Sequence, residues 1–412
     1  MKYGCIGEHL RHSFSKEVHN ALADYEYEIK EIPSAELDAF MVNRNFLAIN
    51  VTIPYKEKVI PHMRSIDEYA SAIGAVNTVV NRGGELYGYN TDFYGMRMLA
   101  YHAGISMEHR KVAVLGTGGT SKTAYAVAKS LGADQIVRVS RTAREGSIDY
   151  RELYEKHCDT EIIINTTPVG MFPEIYECPV DLSRFPTLVG VLDAVYNPIR
   201  TPLILAAKER GVAAEGGLYM LISQAVRASE IFIDTVYPKE AVERVYEKIL
   251  REKENIVLTG MPASGKSTVG KLLSKSTGRE FIDTDALIVE RAKMPISDIF
   301  EKFGEKYFRD LETDIIKEVS KRNGVIISTG GGAVLRGENV AALKENGKMF
   351  FIDRPLPSLM PTDDRPLAST KEHIKRLYNE RYAIYTSTSD EVIYADCPAD
   401  AVAQKIRGSF GI

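Results

Sequence analysis

The stretch GMPASGKS, residues 260–267, decides how this chain is read. Gly260, four residues, Gly265, Lys266 and Ser267 give the spacing of a phosphate-binding loop. It follows strand-forming Ile256, Val257 and Leu258 and precedes a helix expected from Thr268 to Ser276. In that setting the loop's N–H groups and the helix N-terminus wrap a phosphate. Lys266 reaches the terminal phosphates and the Ser267 hydroxyl binds Mg²⁺. Gly260, Ala263, Gly265, Lys266, Ser267 and Thr268 are thus candidate nucleotide-binding residues. Such a loop usually follows the first strand of its domain. Here 259 residues precede it, so another domain is expected upstream.

The 412 residues leave room for two or three domains. An apolar fraction of 44% and a charged fraction of 26% are those of an ordinary globular protein. A net charge of −4 gives no electrostatic case for nucleic acid or an anionic membrane. Cys5, Cys158, Cys178 and Cys397 are scattered without metal-ligand spacing, so four free thiols in a reducing, cytoplasmic compartment are expected. The start, MKYGCIGEHLRHSFS, lacks the apolar stretch of a signal peptide. Oligomeric state is not legible, although a homodimer is compatible with the sequence.

The first half alternates short β-rich runs with amphipathic stretches, the signature of parallel α/β sheets. The expected strands are Tyr3 to Ile6, Tyr27 to Ile32, Ala48 to Thr52, Asn77 to Val80, Val112 to Leu115, Gln135 to Val139, Ile162 to Asn165 and Val189 to Ala194. Lys239 to Lys253 carries one apolar helical face through Val242, Val245, Tyr246, Ile249 and Leu250. It reads as the packed last helix of a first domain, 1–253, with a second domain at 254–412.

In the second domain, FIDTD (Phe281 to Asp285) reads as a strand end with Asp283 and Asp285 on one face. One carboxylate can hold Mg²⁺ and the other can take a proton from a substrate hydroxyl. VIISTGGGAV (Val325 to Val334) ends a strand in Gly330, Gly331 and Gly332, which let a ligand approach the backbone. Arg309, Arg365 and Arg381 are candidates for clamping a carboxylate or phosphate. Together GMPASGKST, DTD, YFRDLE, STGGG and DDRPL resemble, in order, the bacterial shikimate kinase family. The resemblance implies that Asp283 helps hold Mg²⁺ and that Asp285 binds the substrate diol and acts as base. It implies that Arg309, Arg381 and the three glycines hold shikimate, and that Arg365 closes over the transferring phosphate. Where the family usually has an arginine near the adenine, this chain has apolar residues and Pro361. Another small-metabolite kinase, such as one for gluconate, shares the general chemistry.

In the first domain, KVAVLGTGGTSKTAYAVAKSLG (Lys111 to Gly132) reads as strand, glycine turn and helix, with Gly116, Gly118 and Gly119 in the turn. The next strand ends in VSRTAR, giving Ser140, Arg141, Thr142 and Arg144 without an acid. Two guanidiniums attract a ribose 2′-phosphate that a carboxylate would repel, which favours NADP over NAD. Upstream, Lys56 lies past a strand end and Asp92 at an expected helix N-terminus. Singly they read as a surface lysine and a helix cap. As a pair they can deliver a proton to a ketone under reduction. Ser13 and Ser15 offer hydroxyls to a polyol or carboxylate.

HSFSKEVHN, NVTIPYKE, GAVNT, GYNTD, LGTGGTSKT, NTTPVGM, DAVYNPIRTPL and GLYMLISQA resemble the shikimate dehydrogenase family across this half. The resemblance implies a two-lobed fold: a substrate lobe of about 1–102 plus 218–253, and a Rossmann lobe of about 103–217. It implies that Ser13, Ser15, Thr52, Asn77, Tyr196 and Gln224 contact substrate beside catalytic Lys56 and Asp92. Asn165, Thr166 and Met220 would line the NADP site. The expectation is a bifunctional enzyme that reduces 3-dehydroshikimate with NADPH and phosphorylates shikimate with ATP. The alternatives are a single activity, on quinate or with NAD, and one half serving as a binding or regulatory module.

Overall fold

The computed structural model describes residues 1–10, 14–360 and 370–412. It divides into two compact units, Met1–Ile249 and Leu250–Ile412. The division falls inside the helix Ala241–Lys253, whose stripe of Val242, Val245 and Ile249 is buried.

The first unit opens with β1 (Tyr3–Gly7), β2 (Tyr27–Glu31), β3 (Ala48–Val51), β4 (Ser65–Ile66), β5 (Thr78–Arg82) and β6 (Glu85–Tyr89). They form one sheet in the order β2-β1-β3-β5-β6-β4. Helices α1 (Ser15–Leu22), α2 (Leu37–Asn43), α3 (Glu68–Ile73) and α4 (Thr91–His102) accompany it. The sheet is mixed, not parallel as expected, because β5 pairs antiparallel with both β3 and β6. The cause is local. Gly83 and Gly84, at φ 61° and 90°, close a two-residue hairpin between Arg82 and Glu85.

The chain then builds β7 (Lys111–Leu115), α5 (Gly119–Ser130), β8 (Gln135–Val139), α6 (Tyr150–Lys156), β9 (Ile162–Asn165), β10 (Gly190–Asp193), α7 (Pro202–Glu209) and β11 (Ala213–Glu215). Their sheet, β11-β10-β9-β7-β8, is parallel throughout. After β8 the chain crosses back over β7 to form β9, and ligands bind such sheets at the strand ends where the order reverses. Helices α8 (Leu218–Ile233) and α9 (Ala241–Lys253) follow. A Cβ on Gly95 of α4 would lie 2.6 Å from the Met220 carbonyl of α8, so glycine lets the two backbones touch.

The second unit holds β12 (Asn255–Thr259), α10 (Lys266–Thr277), β13 (Phe281–Asp283), α11 (Thr284–Ala292), α12 (Ile296–Val319, broken at Gly304), β14 (Ile326–Ser328), α13 (Gly337–Asn346), β15 (Gly347–Asp353), α14 (Lys371–Thr388), β16 (Glu391–Tyr394) and α15 (Ala399–Phe410). The parallel order is β13-β14-β12-β15-β16. Both faces of the central strands are covered, so they read as continuous apolar runs. Ile256 and Leu258 enter one core with Phe350 and Ile352, while Val257 enters the other with Met349 and Phe351. Among the described residues no helix is long and apolar enough to cross a membrane.

One buried acid makes this unit sensitive to pH. Glu345 on α13 is 2% exposed, and its Oε2 has no hydrogen-bond partner among the described residues. Burial pushes its carboxyl from 4.5 up to about 8, against the pull of Lys321. The folded state therefore holds this proton more tightly than the unfolded chain. Its contribution to stability is fully present below 4.5 and is lost as pH rises through about 8. The loss is on the order of a few kcal/mol. Thermal unfolding at pH 5 and pH 9 should show the decline, and Glu345→Gln should flatten it; an unchanged slope in the variant would refute the assignment.

Candidate active sites

In the first unit a cavity of about 280 Å³ gathers residues far apart in sequence, among them Ser15, Thr52, Lys56, Asn77, Asp92, Tyr196, Met220 and Gln224. Lys56 lies five residues past β3, and Asp92 lies in the first turn of α4. The helix cap is Asn90, whose side chain accepts the Phe93 N–H. The capping role weighed for Asp92 is therefore not needed, and its Oδ2 takes Lys56 Nζ at 2.6 Å. Asn77 is held rigidly: its Oδ1 accepts the Thr91 N–H at 2.8 Å and the Thr91 hydroxyl at 3.2 Å. That leaves the amide nitrogen of Asn77 as its group able to donate to a ligand. Gln224 donates to the Leu221 carbonyl at 2.9 Å.

Asn50 and Cys5 also line the cavity, and neither is among the expected site residues. Asn50 accepts the Tyr27 hydroxyl at 2.8 Å and donates to Thr78 Oγ1 at 3.1 Å, which fixes the floor of the cavity. Cys5 sits beside it, with burial pushing its thiol up to about 12, so it is an inert wall group.

The same cavity is lined by Thr120 of α5, which ties it to the glycine turn. Gly116 has φ 109°, and a Cβ there would lie 2.6 Å from Thr166 Oγ1. A Cβ on Gly118 or Gly119 would meet nothing within 4 Å, so the turn is open on its outer side. Gly118 caps α5, placing the helix N-terminus at the turn. Ser140, Arg141, Thr142 and Arg144 follow β8, and both arginines are exposed. Asn165 is fully buried and spent on structure. It donates to Asp193 at 3.0 Å and accepts from the Thr167 N–H at 3.0 Å.

In the second unit a cavity of about 260 Å³ is lined by Ala263, Gly265, Lys266, Ser267, Thr268, Asp283 and Asp285. Positive φ at Gly260 (146°), Ala263 (63°) and Gly265 (95°) curls the loop, a backbone shape that suits an anion. Lys266 is 5% exposed and donates to the Gly260 and Met261 carbonyls, each at 2.9 Å. The Ser267 hydroxyl donates to Asp283 Oδ2 at 2.6 Å.

The FIDTD stretch is not all strand. β13 ends at Asp283, whose Oδ1 accepts the N–H groups of Asp285 (3.0 Å) and Ala286 (3.4 Å) and so starts α11. Asp285 reaches the cavity from a helix turn, not from the strand face expected for it.

The glycine run is where these parts converge. A Cβ on Gly330 would lie 2.6 Å from both Asp285 Oδ1 and Glu312 Oε1. On Gly331 it would meet Pro262 of the loop at 2.9 Å, and on Gly332 it would strike Arg309 Nη1 at 2.2 Å. Arg381 donates to the Gly331 carbonyl at 3.0 Å, and the Tyr385 hydroxyl donates to the same oxygen. Arg309 is paired with Glu312 at 2.7 Å and with Glu305 at 3.3 Å. Glu312 is a buried partner that sequence reading did not single out. Burial pushes its carboxyl up, and Arg309 pulls it back. The expectations placed on Ser13 and Arg365 fall outside the described residues.

Comparison with known proteins assigns both units. The family model "Shikimate dehydrogenase substrate binding domain" matches residues 5–79, and "Shikimate kinase" matches residues 262–409. The shikimate dehydrogenase (NADP(+)) of Clostridium perfringens (strain SM101 / Type A) is 35% identical over 265 residues, covering 60% of this chain and 97% of that protein. The shikimate kinase of Clostridium botulinum (strain Alaska E43 / Type E3) is 44% identical over 159 residues, covering 38% and 96%. The crystal structure of a chorismate mutase/shikimate 5-dehydrogenase fusion protein from Clostridium acetobutylicum superposes with a TM-score of 0.57 at 32% identity, over 60% of this chain and 96% of that one.

Proposed function

This chain belongs to the shikimate dehydrogenase family over its first unit and to the shikimate kinase family over its second, and from that premise we propose that one polypeptide carries out two consecutive reactions. The first unit reduces 3-dehydroshikimate with NADPH, and the second phosphorylates the resulting shikimate with ATP. One observation carries the reading. Each unit has its own cavity lined by the groups its reaction needs: Lys56 against Asp92 in one, Lys266 with Asp285 in the other.

For the reduction, the open glycine turn at the N-terminus of α5 suits a pyrophosphate, and the acid-free SRTAR run suits a 2′-phosphate. NADPH supplies the hydride. Lys56 then delivers a proton to the ketone oxygen as it gains negative charge, and Asp92 holds Nζ in position. Asn77 and Gln224, both fixed by neighbouring groups, orient the ring hydroxyls.

For the phosphorylation, ATP supplies the phosphoryl group. Ser267 Oγ and Asp283 Oδ2 are neighbouring oxygens of the kind that Mg²⁺ takes together with nucleotide phosphates, so they would hold that ion. Asp285 takes the proton of the attacking hydroxyl. Lys266 neutralises charge on the transferring group, and Arg309 and Arg381, set around the glycine run, position the substrate carboxylate. The four cysteines are free thiols, which suits a reducing, cytoplasmic compartment.

The cofactor assignment is tested by comparing kcat/KM for NADPH and NADH. NADPH should be strongly preferred, and the double variant Arg141→Ala, Arg144→Ala should shrink that preference by about tenfold or more. A wild-type preference for NADH would contradict it.

A further inference from the structure

Arg354 belongs to none of the motifs described above, yet its position beside the nucleotide loop suggests a use. That use rests on the kinase reading of the second unit. β15 ends at Asp353, so Arg354 is the first residue beyond it. β15 runs parallel to β12, with Phe351 opposite Thr259. The Ile352 carbonyl lies 2.9 Å from where a Cβ on Gly260 would stand. The chain therefore leaves β15 alongside the phosphate-binding loop. Arg354 leans onto the loop, and its Nη1 lies 3.8 Å from where a Cβ on Gly265 would stand. Gly265 is the cap of α10, the point toward which that helix directs its N–H groups.

Arg354 is half-buried, and its Nε is buried with no hydrogen-bond partner among the described residues. The neighbouring Asp353 carboxylate accepts the Tyr382 hydroxyl at 3.0 Å. A buried N–H on a charged group costs stability until an acceptor reaches it. The loop beside Arg354 is shaped for an anion rich in acceptors.

We propose that Arg354 is a direct ligand of the nucleotide's phosphates, reaching them from the β15 side of the loop. A planar guanidinium there grips two phosphate oxygens at once, which a lysine cannot do.

The test uses the full chain with Arg354→Met, which keeps the stem without the charge, and Arg354→Lys, which keeps the charge without the fork. ADP and inorganic tripolyphosphate are the binding probes, and KM and kcat are measured for ATP and shikimate. Arg354→Met should weaken both probes by about tenfold or more, the scale of a hydrogen bond to a charged group. It should raise the ATP KM and leave the shikimate KM and melting temperature unchanged. Arg354→Lys should recover part of the loss. Tripolyphosphate binding equal to wild type in Arg354→Met would overturn the proposal. So would a loss confined to ADP, which would place the arginine on the nucleoside. A matching fall in shikimate affinity and melting temperature in both variants would mark a structural role and overturn it as well. Wild-type protein without shikimate-dependent ADP release would instead sink the kinase reading, and the proposal with it.

Discussion

Lys56→Ala should lower the rate of 3-dehydroshikimate reduction by about 10²–10⁴-fold, the range that a positioned proton donor contributes. Lys56 is only partly exposed and is held by Asp92 at 2.6 Å inside a cavity that Thr120, the residue after the glycine turn, also lines. A solvent proton would have to replace a donor already in place. The substrate KM should change far less, because Asn77 and Gln224 are fixed by Thr91 and Leu221 and not by Lys56. ATP-dependent phosphorylation should be untouched. A variant that loses substrate affinity but keeps its turnover would make Lys56 a binding residue, not the proton donor.

Lys266→Met should have the largest effect on the other activity, cutting phosphorylation by about 10²–10³-fold, as expected when a charge that stabilises the transferring group is removed. Methionine fills the space of the buried stem, so the loop is not left with a void. The Lys266 ammonium that is lost donates to the Gly260 and Met261 carbonyls, so some loosening of the loop is expected too. Dehydrogenase activity of the same preparation serves as the folding control. Loss of both activities would point to misfolding, and retention of phosphorylation would remove Lys266 from the mechanism.

What could be read from sequence followed the range of the interactions involved. The phosphate loop and the glycine turn were legible because each is a contiguous pattern whose function depends on local backbone conformation, such as the positive φ of Gly260, Gly265 and Gly116. The parallel order of the second unit's sheet follows from apolar strands buried on both faces, as in Ile256–Leu258. β6 was missed because ELYGY carries an interior glycine and a charged start. The glycine is there because a Cβ on Gly88 would lie 2.9 Å from Val76 Cγ2. Asp285 was placed on a strand because the capping of α11 by Asp283 competes with strand continuation, and period alone does not show which wins. Asn50 and Glu312 stand inside the NVTIPYKE and YFRDLE stretches, which do not by themselves show what either residue does, and Arg354 stands in no motif. The roles of Asn50 and Arg354 come from residues 27 and 89 positions away, at Asn77 and Gly265, whereas Glu312 pairs with Arg309 one helical turn back and is set apart by its burial.

One chain is expected to perform both steps. The most direct measurement supplies purified protein with 3-dehydroshikimate, NADPH, ATP and Mg²⁺ and follows the products by mass. NADPH should be consumed and shikimate 3-phosphate should appear. Lys56→Ala should stop the sequence before shikimate, and Lys266→Met should stop it at shikimate. Accumulation of shikimate alone in the wild-type reaction, with no phosphorylated product and no shikimate-dependent ADP release, would contradict the account.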